Sequence, residues 1–97
     1  MKVVLTANAE ADLEAIGDWI AEDAPQRAIS FISEIRQACE QLGEMPKAHP
    51  LLPGREAAGI RRRVFGNYLI FYTVNTQVEV LHVLHGARDY DAILFPR

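Results

Sequence analysis

From Ala7 to Glu22 the apolar residues Ala9, Leu13, Ile16 and Ile20 return at intervals of three and four. That is the period of one face of an α-helix, and Trp19 widens the stripe. The other face is acidic, with Glu10, Asp12, Glu14, Asp18 and Glu22, several of them in the first turns, where the helix dipole favours negative charge. The short apolar run Val3-Val4-Leu5 comes before, and Thr6 supplies an N-cap. Asp23-Ala24-Pro25 interrupts the pattern. Asp23 suits a cap and Pro25 a first turn, where its missing N–H would have no intrahelical partner. A second helix runs to about Leu42, with Ala28, Phe31, Ile32, Ile35, Cys39 and Leu42 facing inward and Gly43 as its stop. So short a link predicts an antiparallel helical hairpin.

Residues 44–57 change character. Pro46, Pro50, Pro53 and Gly54 exclude regular helix and central strand, so this stretch reads as an ordered loop anchored by Leu51-Leu52. Three strand-like runs follow, over about 59–65, 67–74 and 78–85. Gly66-Asn67 supplies a tight connection and Asn75-Thr76-Gln77 a looser one. The last two runs are almost continuously apolar, which predicts a central position with helices covering one face. Ala92-Ile93-Leu94-Phe95 predicts a short terminal turn packed on the sheet. The expected architecture is α+β, in the order β-α-α-β-β-β, with a helical hairpin on one face of a small, mainly antiparallel sheet. Val3–Leu5 would form an edge or near-edge strand. Residues 1–97 suffice for one domain.

Composition narrows the classes of function. The chain is 49% hydrophobic, yet no apolar run approaches the roughly 18 residues of a membrane span. The N-terminal apolar run is too short for a signal-peptide core, so a cytoplasmic location is expected. Cys39, the single cysteine, excludes an internal disulfide and cannot nucleate a zinc site. Lying on a helical stripe, it reads as a small hydrophobe. No metal and no cofactor is implied. The net charge of −3 conceals an asymmetry: residues 1–43 hold three Lys/Arg against eight Asp/Glu, residues 55–97 six against four. A nucleic-acid binder would show a broad basic footprint. Here the positive charge is local, centred on Arg61-Arg62-Arg63 with Arg55 nearby.

The remaining chemistry sits where strands begin and end. Cutting RNA through its 2′-OH needs a proton acceptor, a proton donor and cations for the phosphorane. Arg62 or Arg63, His85, Arg88 and Tyr90 are the candidates. Only Lys2 and Lys47 add to them as lysines, and the chain is acidic, which favours binding over turnover. Side chains alternate across a strand, so Arg61 and Arg63 cannot share a face with Arg62, and at least one of the three is expected to meet the acidic first helix or water. Structural readings stand beside these roles. His82 shares strand parity with Val80 and Leu84 and reads as a packed residue. Arg88-Asp89 reads as an ion pair fixing the exit turn, and Tyr68 and Tyr72 with Ile70 as core. His49, between prolines, reads as a solvated loop residue.

The opening strand into Thr6, the helix containing Asp12-Leu13 and Ile16, the loop Pro46–Gly54, the hairpin Arg61–Tyr72 and the exit His85-Gly86-Ala87-Arg88-Asp89 together resemble the RelE/ParE superfamily of type II toxin–antitoxin toxins. The resemblance covers essentially the whole chain. Phe71-Tyr72 paired with the exit motif is most similar to the ParE branch. The resemblance implies a growth-inhibiting toxin, neutralised by a cognate ParD-like antitoxin and acting on DNA gyrase. Contact with DNA would come only through the antitoxin. The runner-up it implies is a RelE-like, ribosome-dependent mRNA endonuclease. A third is a chain that has lost toxicity and survives as its antitoxin's partner. On the binding reading, Arg61, Arg62, Arg63, His85, Arg88 and Tyr90 face the antitoxin or target. An exposed sheet edge, the Pro-rich loop and a groove beside the helices would receive the antitoxin segment.

Overall fold

The computed structural model describes residues 1–97, which form β1 (Val3–Leu5), α1 (Ala7–Ala21), α2 (Pro25–Gln41), a 3-10 turn (Glu56–Ala58), β2 (Ile60–Phe65), β3 (Tyr68–Val74), β4 (Val78–His85) and α3 (Tyr90–Leu94). Thr6 caps α1 as expected, its Oγ1 accepting from the Ala9 amide at 3.2 Å. The same hydroxyl donates to the Leu81 carbonyl at 3.0 Å, so this cap also ties α1 to the sheet. Pro25 opens α2, but the cap is Ala24 with no side-chain bond, not Asp23. Gly43 has a negative φ and does not act as a left-handed stop. A Cβ there would strike the Met1 carbonyl and press on Val3 at 3.1 Å, so close approach, not backbone freedom, demands glycine.

The sheet runs β1-β4-β3-β2, with β1 parallel to β4 and both other pairings antiparallel. Val3–Leu5 is an edge strand, as the sequence predicts. Gly66, at φ 58°, supplies the left-handed residue of the β2–β3 turn. A bulge between Phe71 and Tyr72 shifts the register, pairing Phe71 with His82 but Tyr72 with Val80. Strand parity does not survive it. Val80 and Val83 pack on the helical side, Leu84 on the other, and His82 is not a packed core residue.

One core lies between the helical hairpin and the sheet, with Ala9, Leu13, Ile35, Ala38, Cys39 and Leu42 against Ile70, Tyr72, Val78, Val80 and Val83. The second face is also covered. Leu52, Ile60, Phe71 and Leu84 are buried there beneath Tyr90, Ile93, Leu94 and Phe95, so the terminal turn and the Leu52 anchor both pack as expected. Arg55 clasps this layer: it pairs through two bonds, 3.1 and 2.9 Å, with Asp91 and lies 4.2 Å over the Phe95 ring. Trp19 departs from the expected stripe. It is 68% exposed, and the stripe's buried centre runs through Ala9 and Leu13. No helix is long and apolar enough to cross a membrane.

Burial pushes the Cys39 thiol from the ordinary 9.0 to about 11. The folded chain therefore holds that proton to higher pH than the unfolded one. The stability it contributes is intact below about pH 9 and is lost as pH rises through 11. Urea unfolding at pH 8 and pH 10.5 is expected to show a loss that is smaller in Cys39→Ala. An equal loss in both would refute it.

Candidate functional site

β2 carries three arginines with three different duties, set by the alternation of the strand. Arg61 faces the helical side, where its Nη1 donates to the His49 carbonyl at 2.7 Å and to that of Lys47 at 3.3 Å, holding the Pro-rich loop. Arg63, on the same side, donates to the Ala38 carbonyl at 2.7 Å and to Gln41 Oε1 at 3.1 Å. The carbonyls of Cys39, Glu40 and Gln41 are taken by following amides. Arg63 thus satisfies a last-turn carbonyl and places a cation at the negative end of α2. Neither residue meets the acidic first helix, one of the two surroundings expected for at least one of the three; the α1 carboxylate that finds an arginine, Glu10, pairs with Arg36 of α2.

Arg62 points to the opposite face. Its Nη1 lies 3.2 Å from the Tyr90 hydroxyl, and Tyr90 in turn stacks on Phe71 at 5.1 Å. Arg62, Tyr90, Arg88 and Arg55 line a cleft of about 340 Å³ whose acidic members are Asp89 and Asp91. Arg88 and Asp89 form no ion pair. Asp89 instead caps α3 through the Ala92 amide at 3.4 Å, and Arg88 has no side-chain partner. The carboxylate is drawn inward because a helix follows at once and its free amides need an acceptor.

His85 ends β4 on the helical side. Its Nδ1 accepts from the Ala87 amide at 3.0 Å, and its ring meets Tyr68 edge-on at 5.3 Å. It lines a second cleft, of about 320 Å³, with Asp12, Ile16, Trp19, Tyr68 and Arg88. The structure therefore brings Arg62, Arg88 and Tyr90 together and sets His85 apart. Arg88 borders both clefts, and Arg61 and Arg63 are occupied with the loop and α2.

Two groups escape the sequence reading. Asp12, read there as part of the solvated acidic face, turns inward. Its Oδ2 lies 2.7 Å from His82 Nδ1 and accepts from the Val83 amide at 2.9 Å. The signal was present, since Asp12 falls on the Ala9–Ile16 row of the helix. His49 is half-buried, not solvated: it packs edge-on against Tyr72, and burial, reinforced by Arg63, holds its imidazole below the usual range. The Tyr72 hydroxyl donates to the Pro46 carbonyl at 2.7 Å, so both residues fasten the loop to the sheet.

A helical hairpin on a four-stranded sheet, with an arginine-bearing edge strand and a short terminal helix closing the second face, describes a class of small α+β proteins with clefts on both sides of the sheet. Residues 3–90 match the family described as the ParE toxin of the type II toxin–antitoxin system parDE, and the chain belongs to that family. It is similar to Y4kP of Sinorhizobium fredii, 31% identical over 91 residues and 92% of each chain. It is also similar to toxin ParE1 of Caulobacter vibrioides, 29% identical over 92 residues, covering 93% of this chain and 94% of that one. Among solved structures, a chain of the chromosomal ParDE system of P. aeruginosa superposes with a TM-score of 0.77 at 20% identity, over 88% of this chain and 95% of that one. A chain of the RelBE2 toxin–antitoxin complex of Mycobacterium tuberculosis superposes at 0.64 with 25% identity, over 87% and 95%.

Proposed function

We propose that this toxin acts by binding and poisoning DNA gyrase and is held inactive by a cognate, ParD-like antitoxin. The observation that carries binding over turnover is the separation of the proton-transfer candidates. His85 lines the helical-side cleft, whereas Arg62 and Tyr90 line the other, and Arg88 alone of the four borders both. General acid–base catalysis needs both groups within hydrogen-bond reach of one substrate. Arg62, Arg88, Tyr90 and His85 are available to a protein partner on this reading, and Arg61 and Arg63 shape the surface by fixing the loop and α2. Family membership and likeness to toxins from toxin–antitoxin systems support the antitoxin as partner. The RelE-like alternative, mRNA cleavage on the ribosome, draws its support from Arg62, Arg88 and Tyr90 around one cleft.

A paired assay separates the two. Purified toxin is expected to block supercoiling by gyrase and to accumulate cleaved DNA in a reaction without ribosomes, and the adjacent-gene antitoxin is expected to restore activity. Cutting of mRNA at codon boundaries on ribosomes, with gyrase untouched, would transfer the function to the alternative.

A further inference from the structure

The register of β2 against β3 leaves alternate residues with their backbone bonds turned outward. Arg61, Arg63 and Phe65 face β3, while Ile60, Arg62 and Val64 face the open side of the sheet. The Pro-rich loop covers the first half of that edge. The Leu52 amide donates to the Ile60 carbonyl at 2.9 Å, and the Arg62 amide to the Pro50 carbonyl at 3.1 Å. Pro50 has no N–H to return to the Arg62 carbonyl, so the pairing stops there. Arg61, bonded to the carbonyls of His49 and Lys47, holds the preceding loop in place. Beyond this point the Val64 N–H and C=O have no partner in the chain, and the Val64 side chain is 63% exposed.

We propose that Val64 is the docking point of an extended, acidic segment of the antitoxin, which exchanges both backbone hydrogen bonds with Val64 and adds a strand at the β2 edge. The inference rests on reading this chain as an antitoxin-bound toxin. Charge selects the occupant. Arg61, Arg62 and Arg63 bond to carbonyls, an amide oxygen and a hydroxyl, and none of the three meets a carboxylate. A second copy of the chain pairing antiparallel about Val64 would set Arg63 opposite Phe65 and Arg62 opposite Gly66, adding a second arginine run to the seam and no carboxylate to answer either. An acidic strand meets attraction at the same positions, with an apolar residue over Val64 and carboxylates reaching Arg62 and its neighbours.

The test is Val64→Pro. The Val64 N–H points away from β3, so proline removes the outward donor and puts its ring where the partner's carbonyl would sit, and the β2–β3 ladder stays whole. The variant is expected to keep the wild-type circular dichroism and urea midpoint, and to bind the protein encoded beside the toxin at least about tenfold more weakly. Val64→Thr, which retains the N–H and gives up only part of the apolar surface, is expected to lose much less affinity than Val64→Pro. Unchanged affinity in a folded Val64→Pro variant overturns the proposal. Hydrogen exchange on the wild-type chain decides independently of how the proline variant folds. The Val64 amide should exchange fast in the free toxin and slowly in the complex, and fast exchange in a formed complex overturns the proposal. If wild-type toxin fails to bind that protein at all, the functional reading itself falls.

Discussion

Phe71→Ala is expected to cost about 3–5 kcal/mol, the usual range for emptying a fully buried aromatic site. Phe71 is 0% exposed and anchors the second face of the sheet, under Tyr90 and between Leu52, Ile60 and Leu84. A chain of 97 residues has a total stability on the order of 5–15 kcal/mol, so this one side chain holds a large share of it. The effect reaches the site as well as the fold. Tyr90 packs on Phe71 and holds its hydroxyl near Arg62, so a lining residue of the cleft on that face loses its support. Urea unfolding checks the prediction, with the midpoint expected to fall by on the order of 2 M. A loss under about 1 kcal/mol would mean that α3 does not close this face as described.

The second large effect is expected at Asp12. Its carboxylate receives the Val83 amide and the His82 ring, and the side chains of both Asp12 and His82 are 17% exposed. Asp12→Ala leaves a part-buried amide and an imidazole without their acceptor, at about 1–3 kcal/mol for such a group. Asp12→Asn keeps one acceptor oxygen and should recover part of the loss. The bond matters because it joins α1 to β4 beside the bulge, where the strand's regular pairing is disturbed. It also sets one wall of the cleft that holds His85, Trp19 and Arg88. Denaturation of both variants, with hydrogen exchange at Val83, tests this. Equal stability of wild type and Asp12→Ala would show that Asp12 is solvated after all.

Much of the fold is legible in the residues, and the reasons are local. Period-3.6 stripes mark both helices of the hairpin, Thr6 and Pro25 mark their starts, and Gly66-Asn67 marks the tight turn because one of its residues must adopt positive φ. The site is less legible. Alternation along β2 correctly parts Arg62 from Arg61 and Arg63, but it cannot name what each will touch. Those partners, His49, Ala38 and Tyr90, lie between 12 and 28 residues away in sequence. The same holds for Arg55, whose partner Asp91 is 36 residues distant, while the adjacent Arg88 and Asp89 do not pair.

By itself, then, the sequence determined the order of elements, the hairpin of helices, the apolar centre of the sheet and the family resemblance. The first three follow from periodicity and turn chemistry acting over a few residues, and the resemblance rests on the motifs at the hairpin and the exit turn. Only the tertiary structure decided which polar group meets which. The β4 bulge overrode strand parity at His82 and Leu84, packing turned Asp12 inward and left Trp19 outside, and Pro50 ended the loop's pairing one residue pair short of Val64. The physical reason is that a side chain's partner is set by the rigid-body placement of whole elements. That placement minimises exposed apolar surface and unpaired backbone over the entire chain, so no local stretch encodes it.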